Sequence, residues 1–316
     1  MTRKLNADGT TSDSLPTRLS ACLHGPSWAA RTLRGMGGAV LFIVLSGLIT
    51  AAIIFVATRL SGWHEPDHAA QTAADFKPIY VNDACLAAGA LLATYLMSRL
   101  SRRAWLGYGL RETHPLRRLL HGMACGLVYV VVLMASIAAL HGAHFGSTHA
   151  SSAVLLRNAV LWAGAFACVA VAEETLFRGY AFFTLGRNLH PVFAAVLLSL
   201  VFGAVHLGNG GETLMAALFA TAYGLTASLA VWRSGSLWWV FGLHAAFDWS
   251  ETCLFGVADS GQTATHTLLN ATLTGPVWLT GGSAGVEGSM LNIPLICVLA
   301  WYAWRRLSPP AGQPLR

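Results

Sequence analysis

Eight apolar segments, each near the ~20 residues an α-helix needs to cross a hydrocarbon core, divide this chain and leave little room for any other architecture. They run over about 37–58, 79–98, 119–140, 155–183, 190–208, 213–232, 236–256 and 287–304. Charged residues make up only 11% of the chain, against about 25% in an ordinary soluble domain. The expected fold is therefore all-α: a polytopic transmembrane helical bundle of about eight helices. The net charge of +6 does not point to nucleic acid, because the basic residues flank the apolar segments as orienting charges do. The six cysteines (Cys22, Cys85, Cys125, Cys168, Cys253 and Cys297) show no metal-binding spacing and read as small core residues.

The chain divides into four parts: a polar, disordered tail over 1–35, N-terminal transmembrane helices over 36–150, a helical core over 151–256, and an outer loop with the last transmembrane helix over 257–316. The first apolar run exceeds a signal-peptide core in length and no small-residue cleavage site follows it, so it reads as a retained helix. With the N-terminus in the cytoplasm and eight crossings, all Lys and Arg except Arg59, Lys77 and Arg157 fall on the cytoplasmic side. That bias predicts a multi-pass protein with cytoplasmic N- and C-termini, and the expected location is a bacterial inner (cell) membrane. The 257–285 loop carries no assigned role, and the absence of an internal repeat counts against a transporter.

Polar groups inside these segments are the informative exceptions. A charge at the centre of a bilayer costs at least ~2.5–3.5 kcal/mol by insertion scales, so a chain does not accumulate several without a use. Glu173, Glu174, His206, His244 and Asp248 all lie in apolar stretches, in the patterns Glu173-Glu174-x-x-x-Arg178, Phe202-x-x-x-His206 and His244-x-x-x-Asp248. Counting helical rise from the turns near Gly186-Arg187-Asn188 and Ser234-Gly235-Ser236 places all three patterns in roughly one layer of the bilayer. His244 and Asp248 share a helix face, and Glu174 and Arg178 are spaced for an ion pair. Glu173 points ~100° away from Glu174 and is left to face a cavity. Phe202 lies one turn from His206, beneath the imidazole.

These residue types suit hydrolysis. Glu173 is a candidate general base and His206 a partner in activating water. His244 and Asp248 can orient or polarise a scissile carbonyl, and Asp248 can fix the His244 tautomer. Two histidines and a glutamate (Glu173, His206, His244) also make a zinc set with an open position. No HExxH is present, so zinc is permitted and no cofactor is required. Serine chemistry lacks a motif around Ser199, Ser228 or Ser250, and an aspartyl pair would need the distant Asp83 to join Asp248. Glu251, three residues past Asp248, borders the same face and carries no assigned role.

The three patterns, in this order and spacing, resemble the motif set of the CPBP (Abi) family, the CAAX prenyl endopeptidase type II group that includes bacteriocin-processing and immunity proteins. The resemblance covers about residues 150–256. It implies that Glu173 is the water-activating glutamate, His206 its partner, and His244 with position 248 the pair that stabilises the oxyanion. Position 248 is Asp, where the prenyl-protein proteases typically have Asn. An ionised Asp accepts hydrogen bonds but cannot donate one to an oxyanion, and it suits orientation of His244 better. The expected function is an intramembrane endopeptidase of the glutamate or metallo type, acting on a membrane-anchored peptide or lipidated protein. Processing of CAAX-type or of bacteriocin and leader peptides both fit. The competing expectations are a catalytically silent scaffold or immunity protein and a proton-coupled transporter.

Overall fold

A computed structural model describes residues 27–61, 76–146, 148, 150–265 and 267–308. The helices are α1 (Trp28–Ser61), α2 (Phe76–Leu100), α3 (Pro115–Ala139), α4 (Ser152–Arg178), α5 (Tyr180–Asn188), α6 (Pro191–His206), α7 (Leu214–Ser234), α8 (Trp238–Trp249), the single turn α9 (Val277–Thr280) and α10 (Asn292–Arg306). Every apolar segment of the sequence is helical, and the protein is a helical transmembrane bundle. Five stretches are long and apolar enough to cross a membrane: α1, α2, α3, α4 with α5, and α7. The segments at 190–208, 236–256 and 287–304 form shorter helices. α1 begins at Trp28, inside the stretch read as a tail; residues 1–26 of that tail lie outside the described residues.

Polarity is turned outward-in, as hydrocarbon solvent requires. Leu41, Val44, Leu48 and Phe55 of α1 and Leu120 and Val128 of α3 are exposed, while Glu174, Arg178 and Glu251 have no exposure at all. Helices α4 and α7 are capped by side chains at their starts. Ser151 caps α4 by accepting from the Val154 N–H, and Thr213 caps α7 by accepting from the Ala216 N–H. α4 stops at Arg178 because Gly179 departs from helical geometry, and α5 resumes at Tyr180.

One seam fixes where the third motif sits. Gly122 and Gly126 of α3 lie against the backbone of α8 at Trp239, Leu243 and Phe247, and Gly242 of α8 lies against Leu119 of α3. A β-carbon at any of the three would collide with a backbone carbonyl of the other helix. Two helices without intervening side chains approach closely, which is the usual way membrane helices gain contact. Ala143–Gly146 (β1) and Asn270–Leu273 (β2) pair antiparallel, with Ala143 opposite Leu273. The 257–285 stretch is thus an ordered cap, with a small sheet the sequence did not announce.

The two ends of the bundle differ in charge. The ends of α2, α5, α7 and α10 bring Arg99, Arg187, Arg233, Arg305 and Arg306 to one end, together with Arg117 and Arg118 at the start of α3. Arg118 donates to the Ser308 carbonyl at 2.9 Å, and Arg187 to the Gly107 carbonyl at 3.3 Å, tying that end together. The other end carries the β1–β2 cap and the loops with Glu212, Asp259 and Glu287.

Candidate active site

Adjacent glutamates on a helix diverge by ~100°, and the structure uses that divergence. Glu174 turns into the bundle. Its Oε1 lies 3.4 Å from Arg178 Nη1, accepts from the Tyr223 hydroxyl at 3.4 Å, and sits 2.9 Å from His244 Nδ1. A single carboxylate oxygen therefore ties α4 to α7 and α8. The Arg178 guanidinium lies 4.1 Å over the Phe202 ring, so the cation that balances Glu174 is also held against an aromatic face of α6.

Glu173 faces the other way. It lines a cavity of about 200 Å³, and its buried Oε2 has no hydrogen-bond partner. His244 Nε2 lies 3.7 Å from that oxygen and 3.5 Å from Asp248 Oδ2, beyond good hydrogen-bonding range in the first case. His206 Nδ1 is 2.7 Å from the Phe202 carbonyl. A carbonyl only accepts, so Nδ1 is the donor, and in the neutral tautomer this requires, Nε2 carries the lone pair. The Phe202 and His206 rings stand 4.5 Å apart, as their one-turn spacing predicts.

The same cavity is lined by Glu173, His206, His244 and Asp248, so the three motifs meet. Phe202 lines the cavity with them, and Glu174 and Arg178 are buried next to them. The structure alters one detail: His244 Nδ1 is engaged by Glu174, not by Asp248, which faces Nε2 instead. Glu174 is thus more than an ion-pair partner, since it sets the His244 ring. An unbonded carboxylate, imidazole nitrogens and a second acid around one small cavity can take a proton from water and polarise a carbonyl.

The fit to a metal is a separate question. Among the described residues, the three His, Cys, Asp or Glu side chains whose ligand atoms all lie within 4.8 Å of one another are Glu251, Asp259 and Glu287. Glu173, His206 and His244 do not form such a group.

Asp83 of α2, distant from Asp248 in the sequence, lines the same cavity, and so do residues that sequence patterns did not flag: Tyr223 of α7, and Asp259 and Glu287 of the cap. Tyr223 was legible only as a polar group in an apolar helix. Asp259 and Glu287 belong to a loop without a motif. Burial, then the neighbouring Asp259 and Glu212 carboxylates, push Glu287 up to about 8. Burial, then Asp248, push Asp259 well above its ordinary value.

No curated protein and no solved structure matches the chain. Residues 154–250 match a family model, the type II CAAX prenyl endopeptidase, Rce1-like. The matched stretch runs from the first turn of α4 to the end of α8 and contains all three motifs. The site-bearing core of this integral membrane protein, residues 154–250, is thus similar to the type II CAAX prenyl endopeptidases, which supports a protease of the CPBP family.

Proposed function

We propose that this protein is an intramembrane endopeptidase that hydrolyses a peptide bond of a membrane-associated substrate through a water activated by Glu173 and His206. The observation that carries the reading is the division of labour between adjacent carboxylates. Glu174 is committed to Arg178, Tyr223 and His244, whereas Glu173 lines the cavity and its buried Oε2 has no hydrogen-bond partner. Glu173 takes the proton of the attacking water, and His206 Nε2 orients that water. His244, steered by Glu174, presents Nε2 beside the carbonyl that becomes the oxyanion. Asp248 holds the charge of His244 at that point, the role an Asp at this position can perform and an Asn could not. A zinc held by Glu173, His206 and His244 would need those donors drawn closer together than they stand, and elemental analysis of the purified protein tests that form.

The orientation that accords with the charge at the bundle ends puts the Arg-rich end, and both termini, in the cytoplasm. The capped end, with its acidic loops, then faces outward. A substrate anchored in the outer leaflet, such as a leader or bacteriocin-type peptide, meets the cavity more directly than a cytoplasmic prenylated C-terminus. Reporter fusions at 147–150 and 309–316 test the orientation, with the cap end expected outside.

The decisive assay presents membrane-anchored leader-type peptides and a prenylated CAAX peptide to the protein in vesicles. Cleavage of at least one is expected, falling by ~10²–10⁴-fold in Glu173→Gln as loss of a general base requires. Undiminished cleavage in both Glu173→Gln and His206→Ala would overturn the assignment.

A further inference from the structure

Beyond Asp248, α8 widens into a π-turn, Ser250–Phe255, and then enters the cap. A π-turn re-aims side chains relative to the preceding helix, and here Glu251 is turned into the protein. One oxygen each of Glu251, Asp259 and Glu287 lies within 4.8 Å of the other two. Acids cluster in many loops without consequence, but two facts set this group apart. Glu251 has no exposure, and both of its carboxylate oxygens lack any hydrogen-bond partner although they face the other two acids. Among the described residues, no Lys or Arg forms an ion pair with any of the three.

The hydrogen bonds present only position the group. Glu287 Oε2 accepts from the Ser260 N–H at 2.9 Å and from its hydroxyl at 3.2 Å. Asp259 Oδ2 accepts from the Thr252 hydroxyl at 3.2 Å. These contacts orient two carboxylates toward a third that has nothing to bind. Buried carboxylates are paired with a counter-charge or coordinate a metal, and among the described residues no Lys or Arg supplies that counter-charge here.

We propose that Glu251, Asp259 and Glu287 bind one hard divalent cation, Ca²⁺ in preference to Mg²⁺. The donors are all carboxylate oxygens, which select hard cations over zinc. Donor atoms within 4.8 Å of one another can share a Ca²⁺ ion at ~2.3–2.6 Å each, and the flexible coordination of Ca²⁺ suits several protein carboxylates, whereas Mg²⁺ demands near-ideal octahedral geometry and keeps several waters. Asp259 and Glu287 line the cavity, so the ion reaches the site without unfolding the cap. The bound ion ties the π-turn that follows Asp248 to two segments of the cap. It positions the wall of the cavity and touches no substrate. The inference rests on this geometry and not on the peptidase reading.

The test uses the full chain in neutral detergent, stripped with chelator and titrated with CaCl₂ or MgCl₂ by calorimetry and thermal unfolding. One Ca²⁺ per chain and a saturable rise in Tm are expected, with weaker Mg²⁺ binding. Asp259→Asn and Glu251→Gln should each weaken Ca²⁺ by at least the roughly 10–100-fold that even the loss of an outer-shell partner costs a metal site. Glu173→Gln should bind Ca²⁺ as the wild type does, which separates this site from the proposed hydrolytic one. Should Glu251→Gln fail to fold, Glu287→Gln at the cavity edge supplies the same comparison. No saturable Ca²⁺ binding, binding unaffected by the cap substitutions, or binding lost with Glu173 would each overturn the proposal.

Discussion

The wall of the cavity built by α4 and the wall built by the cap both bury carboxylates, and they do so in opposite ways. On α4, Glu174 is matched by the Arg178 guanidinium, the His244 imidazole and the Tyr223 hydroxyl. In the cap, Glu251, Asp259 and Glu287 crowd together, and among the described residues no Lys or Arg forms an ion pair with them. On the first wall Glu174 finds its counter-charge within the chain, and that pairing is what lets it hold His244 in one orientation. The second wall is balanced only if something outside the described residues is supplied, a proton or a cation. Burial by itself therefore says little about a carboxylate's role; the charge it faces decides.

The contrast is most sharply tested by unbalancing the paired wall. Arg178→Met leaves Glu174 buried opposite no guanidinium, and breaking a buried pair in this way costs ~3–5 kcal/mol. Chemical unfolding in detergent should show that loss, and a change below ~1 kcal/mol would mean that charge does not hold this wall. Next comes the seam behind His244. Gly126→Leu forces α3 away from α8, where a β-carbon already collides with the Leu243 carbonyl. Overpacking of this kind costs ~1–3 kcal/mol, and peptide cleavage should fall further than stability does, because His244 moves with α8.

The unpaired wall should respond with the opposite sign. In chelator-treated protein, Glu251→Gln removes a buried charge that has no partner. Unfolding measurements should find it as stable as the wild type, or more stable by on the order of 1 kcal/mol. A loss comparable to that of Arg178→Met would erase the distinction between the walls. The smallest effect concerns Glu112 at the Arg-rich end, a paired carboxylate outside the membrane spans. Burial pushes its carboxyl up, but the Thr113 N–H, Arg118 at 3.1 Å and the His114 N–H outweigh it and hold the group below 4.5. A depressed folded value means its contribution is fully present above 4.5 and is lost as pH falls through the folded value. The Tm of the wild type should therefore drop more on acidification below that point than the Tm of Glu112→Gln.

Much of the site could be read from spacing because α-helices convert spacing into direction. Residues 174 and 178, 202 and 206, and 244 and 248 are each one turn apart, and each pair meets as that geometry requires. The separate fates of Glu173 and Glu174 follow from the same rotation. Tyr223 escaped notice because a lone tyrosine in an apolar helix has no partner within its own helix; its partner is Glu174, on another. Asp83 lay one helix further away still, and it reaches the cavity only because α2 packs on α4. The acids of the cap had no period to betray them, since Asp259 and Glu287 sit on irregular backbone brought together by long-range contacts.

By its amino-acid order alone the chain determined that it would be a membrane helical bundle, because scarce charge and long apolar runs leave hydrocarbon no alternative but helices whose backbones satisfy themselves. It also determined which polar groups share a helical face. What only the tertiary structure decided was which nitrogen of His244 meets which acid, that Glu174 joins three helices through one oxygen, and that three distant acids converge in the cap. Those outcomes depend on the rotation and close approach of whole helices, set at glycine contacts such as Gly122, Gly126 and Gly242, and local periodicity carries no information about them.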